Sequence, residues 1–478
     1  MTVRIATRLL LLFALLLFAS PVYAEHTVEH VFDTDMNATF GASLRLRQEI
    51  WDNVVDLSTK QNDRNFFRLR ASVWGKLDFG QGFDAFAKIT TEPKYYLGPY
   101  HPGFSESGST HNQYLDVDEI IFDNLYFSGK KLLNSNLDVK IGRQDFLSPS
   151  DVYGEGFLIM DGTPGDGSRT FYFNAAKARL NITQDNSIDF VYIDDPETDI
   201  FLPSLHPAIS GNALYMDNKK LLTTSDEQAI MIYSRNKLSQ YFTFDPYYIR
   251  KTEHAWGSNP GLTLHTFGGR ATFTCPEGWR AKAELARQVG HYDSNPGGQT
   301  GNVRTGLGGY FFAGRQFAQT TGKPEIDLGV VYLSGDNPKT PDKREAWDPL
   351  FSRNPYWNEL YIYTLIGETA SKYSGPIPGY WTNMVIYMIK GKVNLAEKTS
   401  LTMTYQYLTA PQNTTGLSAL EYTNKGKVRG SLPTAVLNQT FTKNLDGFLQ
   451  LEYFVPGSFY SANTENAWFF RWQLNFKL

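Results

Sequence analysis

The chain has 478 residues, with 45 Lys and Arg against 49 Asp and Glu, a formal net charge of −4. That balance excludes the basic excess by which nucleic-acid binding is recognised, and the lone Cys275 excludes an internal disulfide and a Cys-based metal site. Aromatic residues reach 15% while mean hydropathy is only −0.36, a combination expected where alternate strand residues face lipid.

At the N-terminus, Arg4 and Arg8 precede an apolar run from Leu9 to Ala19, followed by Val22-Tyr23-Ala24 as a cleavage signature. This layout predicts a secretory signal over 1–24. The run is too short to cross a bilayer as a helix, which needs about 20 residues. Residues 25–38 read as a short, poorly ordered periplasmic lead-in.

Beyond it the chain alternates. Phe67, Leu69, Ala71 and Val73 hold one parity while Arg68, Arg70, Ser72 and Trp74 hold the other, the period of a strand with one apolar and one polar face. The same pattern predicts strands near 39–51, 65–78, 82–92, 119–128, 137–144, 171–182, 187–194, 227–235 and 239–251. It continues near 262–273, 279–289, 303–315, 324–335, 381–393, 399–408, 425–438, 447–455 and 467–478. Between them, long segments (93–118, 145–170, 195–226, 336–380) alternate with short ones (79–81, 183–186, 236–238, 274–278). Long extracellular loops and short periplasmic turns make this an all-β transmembrane barrel of about eighteen strands, with both termini periplasmic. One barrel domain, 39–478, accounts for the chain after the lead-in.

The final strand places Trp468, Phe470, Trp472, Leu474, Phe476 and Leu478 on one parity. Such a strand is similar to the signal read by barrel-insertion machinery, although Leu478 stands where Phe or Trp is usual. Segment 336–380 carries Trp347, Phe351, Tyr356, Trp357, Tyr361 and Tyr363, enough apolar mass to fold over or into the barrel mouth.

Catalytic and metal signatures are weak. His26 and His30 flank a misplaced acid, and Gly306, Gly308 and Gly309 sit within a strand pattern, where they relieve crowding on a curved sheet. The 161–168 stretch, Asp161-Gly-Thr-Pro-Gly-Asp166-Gly-Ser, reads as a Gly/Pro-driven turn more than a calcium loop. Asp336, Asp342 and Asp348 read the same way. No enzyme activity, cofactor or metal is expected.

The positive feature is a basic ladder. Arg45, Arg47, Arg68, Arg70 and Lys88 lie on the polar parity of the early strands, with Lys140, Arg179, Arg270 and Arg429 further along. Lys177, Arg280, Arg304 and Arg471 share that parity, interleaved with acids such as Glu49, Asp84, Glu92 and Glu284. Cross-strand pairing accounts for part of this. Four guanidiniums on two neighbouring strands would nonetheless concentrate anions, and the Arg fork suits carboxylates.

Three stretches carry a family likeness: Lys140-Ile-Gly-Arg-Gln-Asp-Phe146, the run from Asp161 to Arg169, and Ser334-Gly-Asp336 followed by Ala346-Trp-Asp-Pro-Leu-Phe351. In order and spacing the sequence resembles the alginate-export family of outer-membrane proteins. The resemblance implies a monomeric barrel of eighteen strands whose electropositive constriction passes a polyuronate outward, and it adds Arg143 to the lumenal candidates. Arg143 shares its parity with Val139 and Ile141, so a lumenal position requires a bulge or twist. The chain departs from that family at 439–446, where the turn is short and a periplasmic plug has no room; gating would then fall to 93–118 and 336–380. The expected function is a passive channel for an anionic polysaccharide or oligosaccharide, the alternative being an uptake porin for small carboxylate-bearing solutes. Outer-membrane lipid is the other expected partner.

Overall fold

The computed structural model describes residues 26–31, 36–55, 57–58, 63–97, 103–106, 109–112, 115–117, 119–147, 153, 158–160, 167–169, 172–207, 214–216, 222–223, 225–257, 259–352, 357–364, 381–414, 417 and 419–477. The expected leader over 1–24, the 161–166 turn, Tyr356 and Leu478 lie outside the described residues.

Eighteen antiparallel strands form the wall. They are β1 Met36–Asp52, β2 Arg64–Gly80, β3 Phe83–Thr91, β4 Ile120–Gly129, β5 Leu137–Gln144, β6 Phe173–Asn181, β7 Asn186–Asp195, β8 Glu227–Asn236 and β9 Phe242–Glu253. The series continues with β10 Leu262–Thr274, β11 Trp279–Tyr292, β12 Val303–Gln316, β13 Glu325–Leu333, β14 Met384–Ala396, β15 Thr399–Thr409, β16 Val428–Thr442, β17 Leu445–Pro456 and β18 Ala467–Lys477. Each pairs with the next in sequence, and β18 returns to β1, Lys477 opposite Ser43 and Trp468 opposite Asp52. The sheet closes and leaves no edge along the wall, as a bilayer demands.

Alternation sorts the two faces as expected. On β2 the outward Val73 is 55% exposed while the inward Arg68 is 2% exposed. Large apolar side chains such as Phe190, Phe267, Leu285, Phe311, Leu328 and Met403 form the exposed outer face. Turns on one rim are short, the tightest being residues 81–82, 397–398 and 443–444; loops on the other rim are long. The first residue of β1 and the last of β18 stand on the short-turn rim. Cys275 is half-buried in the 275–278 turn.

Within the lead-in expected over 25–38, His26–Val31 forms a strand on β1, His26 opposite Phe40 and Val31 opposite Met36. It occupies the part of the β1 edge below Ser43, where β18 has already ended.

The long loops fold inward. Trp347, Leu350, Phe351, Trp357, Leu360 and Tyr361 join lumen-facing Ile249, Leu264, Ile386, Leu408, Phe454 and Phe469 in one buried cluster. Burial of each large apolar side chain stabilises this plug by about 1.5–3 kcal/mol. The glycines of β12 turn out to have a packing role. A Cβ on Gly308 would lie 2.6 Å from the Trp347 indole, and one on Gly306 would lie 3.3 Å from the Trp347 backbone. These two positions are a slot for the loop, a reason distinct from sheet curvature. Polar contacts finish the docking: Gln288 donates to Asp348 O at 2.7 Å and accepts from the Asp348 N–H at 2.9 Å. Backbone N–H groups of Glu359 and Leu360 donate to the buried Glu452 carboxylate of β17.

Candidate functional site

Moving down β1 and β2 toward the short-turn rim, lumen-facing residues change from apolar to ionic. Trp51 and Phe66 pack edge to face beneath the plug, ring centroids 5.5 Å apart. Below them the register sets Arg47 opposite Arg68 and Arg45 opposite Arg70. Like charges directly opposite repel, so carboxylates must intervene.

Glu92, just past β3 and fully buried, accepts from Arg68 Nε at 2.5 Å, lies 3.6 Å from Arg70 and also binds Arg45. Glu49 on β1 meets Arg47 at 3.1 Å, Arg471 of β18 at 2.8 Å and Arg68 at 3.6 Å. Asp123 holds Lys88 at 2.5 Å and Arg70 at 3.4 Å. From the plug, Glu359 reaches Arg471 at 2.8 Å. Among the described residues, six cations of this patch meet four carboxylates, two positive charges in excess. Exposure separates the roles: side chains of Arg45, Arg47, Arg70 and Lys88 remain 22, 13, 13 and 26% exposed, whereas Arg68 and Arg471 are at 2 and 3%. The first four can meet a solute; the last two hold the wall.

Asp123 reaches the patch through a bulge. Lys88 faces Asn124 and the next residue, Ile89, faces Phe122, so Asp123 is the extra residue of β4. Such bulges re-aim side chains, and both Asp123 and Asn124 end up buried. The patch is tied to the loops: Arg70 donates to Gly167 O at 3.2 Å, and the Glu92 N–H to Ser168 Oγ at 2.9 Å.

The remaining candidates stand elsewhere. Lys140 lies 4.7 Å over the Tyr126 ring. Arg179 grips Asp189 through two bonds of 2.7 and 2.8 Å, and Arg235 binds the same carboxylate. Arg270 sits 3.4 Å from Asp245. Arg429 is the extra residue of a β16 bulge and is fully buried, donating to Tyr361 at 2.8 Å and to Asn383 O at 3.0 Å while covering the Phe459 ring. It holds the loop plug rather than lining open lumen.

Arg143 follows a twist of the kind its parity requires. Gly142 adopts φ +125°, and a Cβ there would lie 2.3 Å from Leu125 O, so only glycine fits. Arg143 is buried and binds Asp199 through bonds of 2.9 and 2.6 Å, lying 4.3 Å over the Tyr172 ring. Arg169 joins Asp199 to Glu119, which it meets at 2.6 and 2.7 Å. Burial raises the Asp199 carboxyl, but the two guanidiniums outweigh it and hold it below the ordinary value of 3.8. This is a clamp at the loop rim, joined to the Glu92 patch by Ser168, whose Oγ accepts from the Glu92 N–H at 2.9 Å and donates to Glu119 O at 2.7 Å.

Sequence parity thus found the arginines of β1 and β2 and the acids Glu49 and Glu92. It missed Asp123, displaced by a bulge, and Glu359, Glu119, Asp199 and Arg169, which lie in loops without period.

No family model matches the chain, and no curated protein matches it. Among solved structures, Acinetobacter baumannii OccAB1 has a TM-score of 0.54 at 10% identity, covering 95% of this chain and 99% of its own. A. baumannii OccAB4 has a TM-score of 0.54 at 11% identity, covering 91% and 97%. A BenF-like porin from Pseudomonas fluorescens Pf-5 has a TM-score of 0.53 at 11% identity, covering 92% and 98%. These identities speak to fold alone, and the alginate-export likeness gains no support from them. The chain is a closed antiparallel β-barrel of eighteen strands, similar in fold to porins of known structure.

Proposed function

We propose that this protein is a passive uptake porin for small carboxylate-bearing solutes, directed past the β1–β2 arginines and reaching the membrane through a signal over 1–24. The observation that carries the reading is the patch, net positive among the described residues, in which Arg45, Arg47, Arg70 and Lys88 stay partly exposed below the plug. Guanidinium forks match carboxylates bidentately, and rings of Arg and Lys select anions in pores. Inward-folded loops over the patch favour a small solute over a continuous acidic polymer, so export of an anionic polysaccharide is the weaker reading.

The test is a planar-bilayer measurement under a salt gradient. The reversal potential should report anion selectivity, mono- and dicarboxylates should reduce chloride current, and Arg47→Gln with Arg70→Gln should diminish both effects. Cation selectivity, or an indifferent response to carboxylates, would sink the proposal. Block by long uronate oligomers alone would restore the polymer reading.

A further inference from the structure

The outward face of the wall is almost wholly apolar, but it carries one basic cluster. On the outward parity of β9, β10 and β11 lie Arg250, His265, Arg287 and His291, of which Arg250, Arg287 and His291 are exposed. Arg250 stands directly opposite His265, and His265 is opposite Val289, which places Arg287 and His291 on its two diagonals. Direct partners of this kind are roughly 5 Å apart at Cβ and diagonals roughly 7–8 Å, so the long side chains can converge on one group. Tyr248, also outward, bonds His265 Nδ1 at 2.8 Å. The same rows on the flanking strands are uncharged: Gln228, Ile230 and Ile232 on β8; Val303, Thr305 and Leu307 on β12.

Height assigns the cluster to one membrane interface. Arg287 comes eight residues after Trp279 and Arg250 eight after Phe242, exposed aromatics at the short-turn ends of their strands. At about 3.3 Å per residue and a tilt of about 40° this is a rise of roughly 20 Å, close to the top of an apolar band about 25 Å tall. Lipid-facing Arg is costly at mid-membrane and nearly free at the interface, where anionic headgroups reward it. Nearby carboxylates have other partners: Glu345, within electrostatic reach of Arg287, meets Lys343 at 2.9 Å and accepts from Thr340 at 2.6 Å, and Asp194 accepts from Gln228 at 3.1 Å.

We propose that Arg250 and Arg287, flanking His265, form a binding site on the outside of the barrel for a phosphorylated glycolipid headgroup of the outer leaflet. Two guanidinium forks bind phosphate oxygens bidentately, Tyr248 packs at the headgroup level, and the acyl chains lie along the apolar rows below. The site is independent of what the lumen passes.

The experiment is native mass spectrometry of the full chain, folded in detergent and titrated with bisphosphorylated lipid A, with its dephosphorylated form and with inorganic phosphate. The expected result is retention of the phosphorylated lipid over the dephosphorylated one by about tenfold or more. The R250Q/R287Q double variant should lose that preference, and R250K/R287K should keep part of it. Equal retention of both lipids on the unaltered protein overturns the proposal and requires no variant to fold. So does full binding by R250Q/R287Q, or inorganic phosphate binding as tightly as the lipid.

Discussion

Trp347→Ala tests whether the plug sets the size of the passage. Trp347 is 2% exposed, seated in the slot over Gly306 and Gly308. Truncating a buried Trp costs about 3–5 kcal/mol. Each 1.4 kcal/mol is a factor of ten, so the undocked population of the loop should rise by roughly two to three and a half orders of magnitude. Wall strands keep their pairing, so the barrel survives while the plug loosens. Single-channel conductance should increase, and limited proteolysis of the intact barrel should cut the long loop faster. Gly308→Ala should act in the same direction, since its Cβ would lie 2.6 Å from the indole. Gly75→Ala is the control, because nothing lies within 4 Å of the added Cβ. A folded Trp347→Ala protein with unchanged conductance and unchanged proteolysis would refute the reasoning.

Glu92→Gln removes the buried anion shared by Arg45, Arg68 and Arg70; bilayer measurements should show stronger anion selectivity, and thermal unfolding should show a loss of about 3–5 kcal/mol. Asp199→Asn leaves Arg143 and Arg169 without their shared charge, and loop proteolysis should accelerate at neutral pH. In the unaltered protein Asp199 titrates below its ordinary 3.8, so the clamp's contribution is complete above that value and is lost as pH falls through the lower, folded-state value. A loop-proteolysis profile at acid pH, using an acid-active protease, should show this change in wild type and not in Asp199→Asn.

The wall was legible from sequence because period-two patterning survives wherever one face meets lipid. All eighteen expected strands correspond to observed ones, with ends shifted by a few residues. Asp123 escaped because a bulge adds a residue and breaks parity locally; Arg429 was on the expected face, but a bulge and the plug it holds set its role. For Arg143 the required twist could be stated but not located from alternation; it lies at Gly142, at positive φ. Loop docking was legible only in part. The aromatics of 336–380 announced a buried segment, but nothing local in Trp347 names Gly308 as its partner, since that contact joins residues with no shared period. The ionic patch was half visible: its arginines follow the strand rhythm, whereas Glu359 arrives from the plug.

The short strand His26–Val31 bears on how the barrel finds its register. With Phe40 already matched to His26, β18 has a stop: it can descend along β1 only until Lys477 meets Ser43. A slip of one residue would turn Arg471 toward lipid and Trp472 toward the lumen; a slip of two would drive the end of β18 into occupied backbone. A six-residue strand thus acts as a gauge block for the closing seam, marking on β1 the stagger at which the cylinder's last and first strands meet.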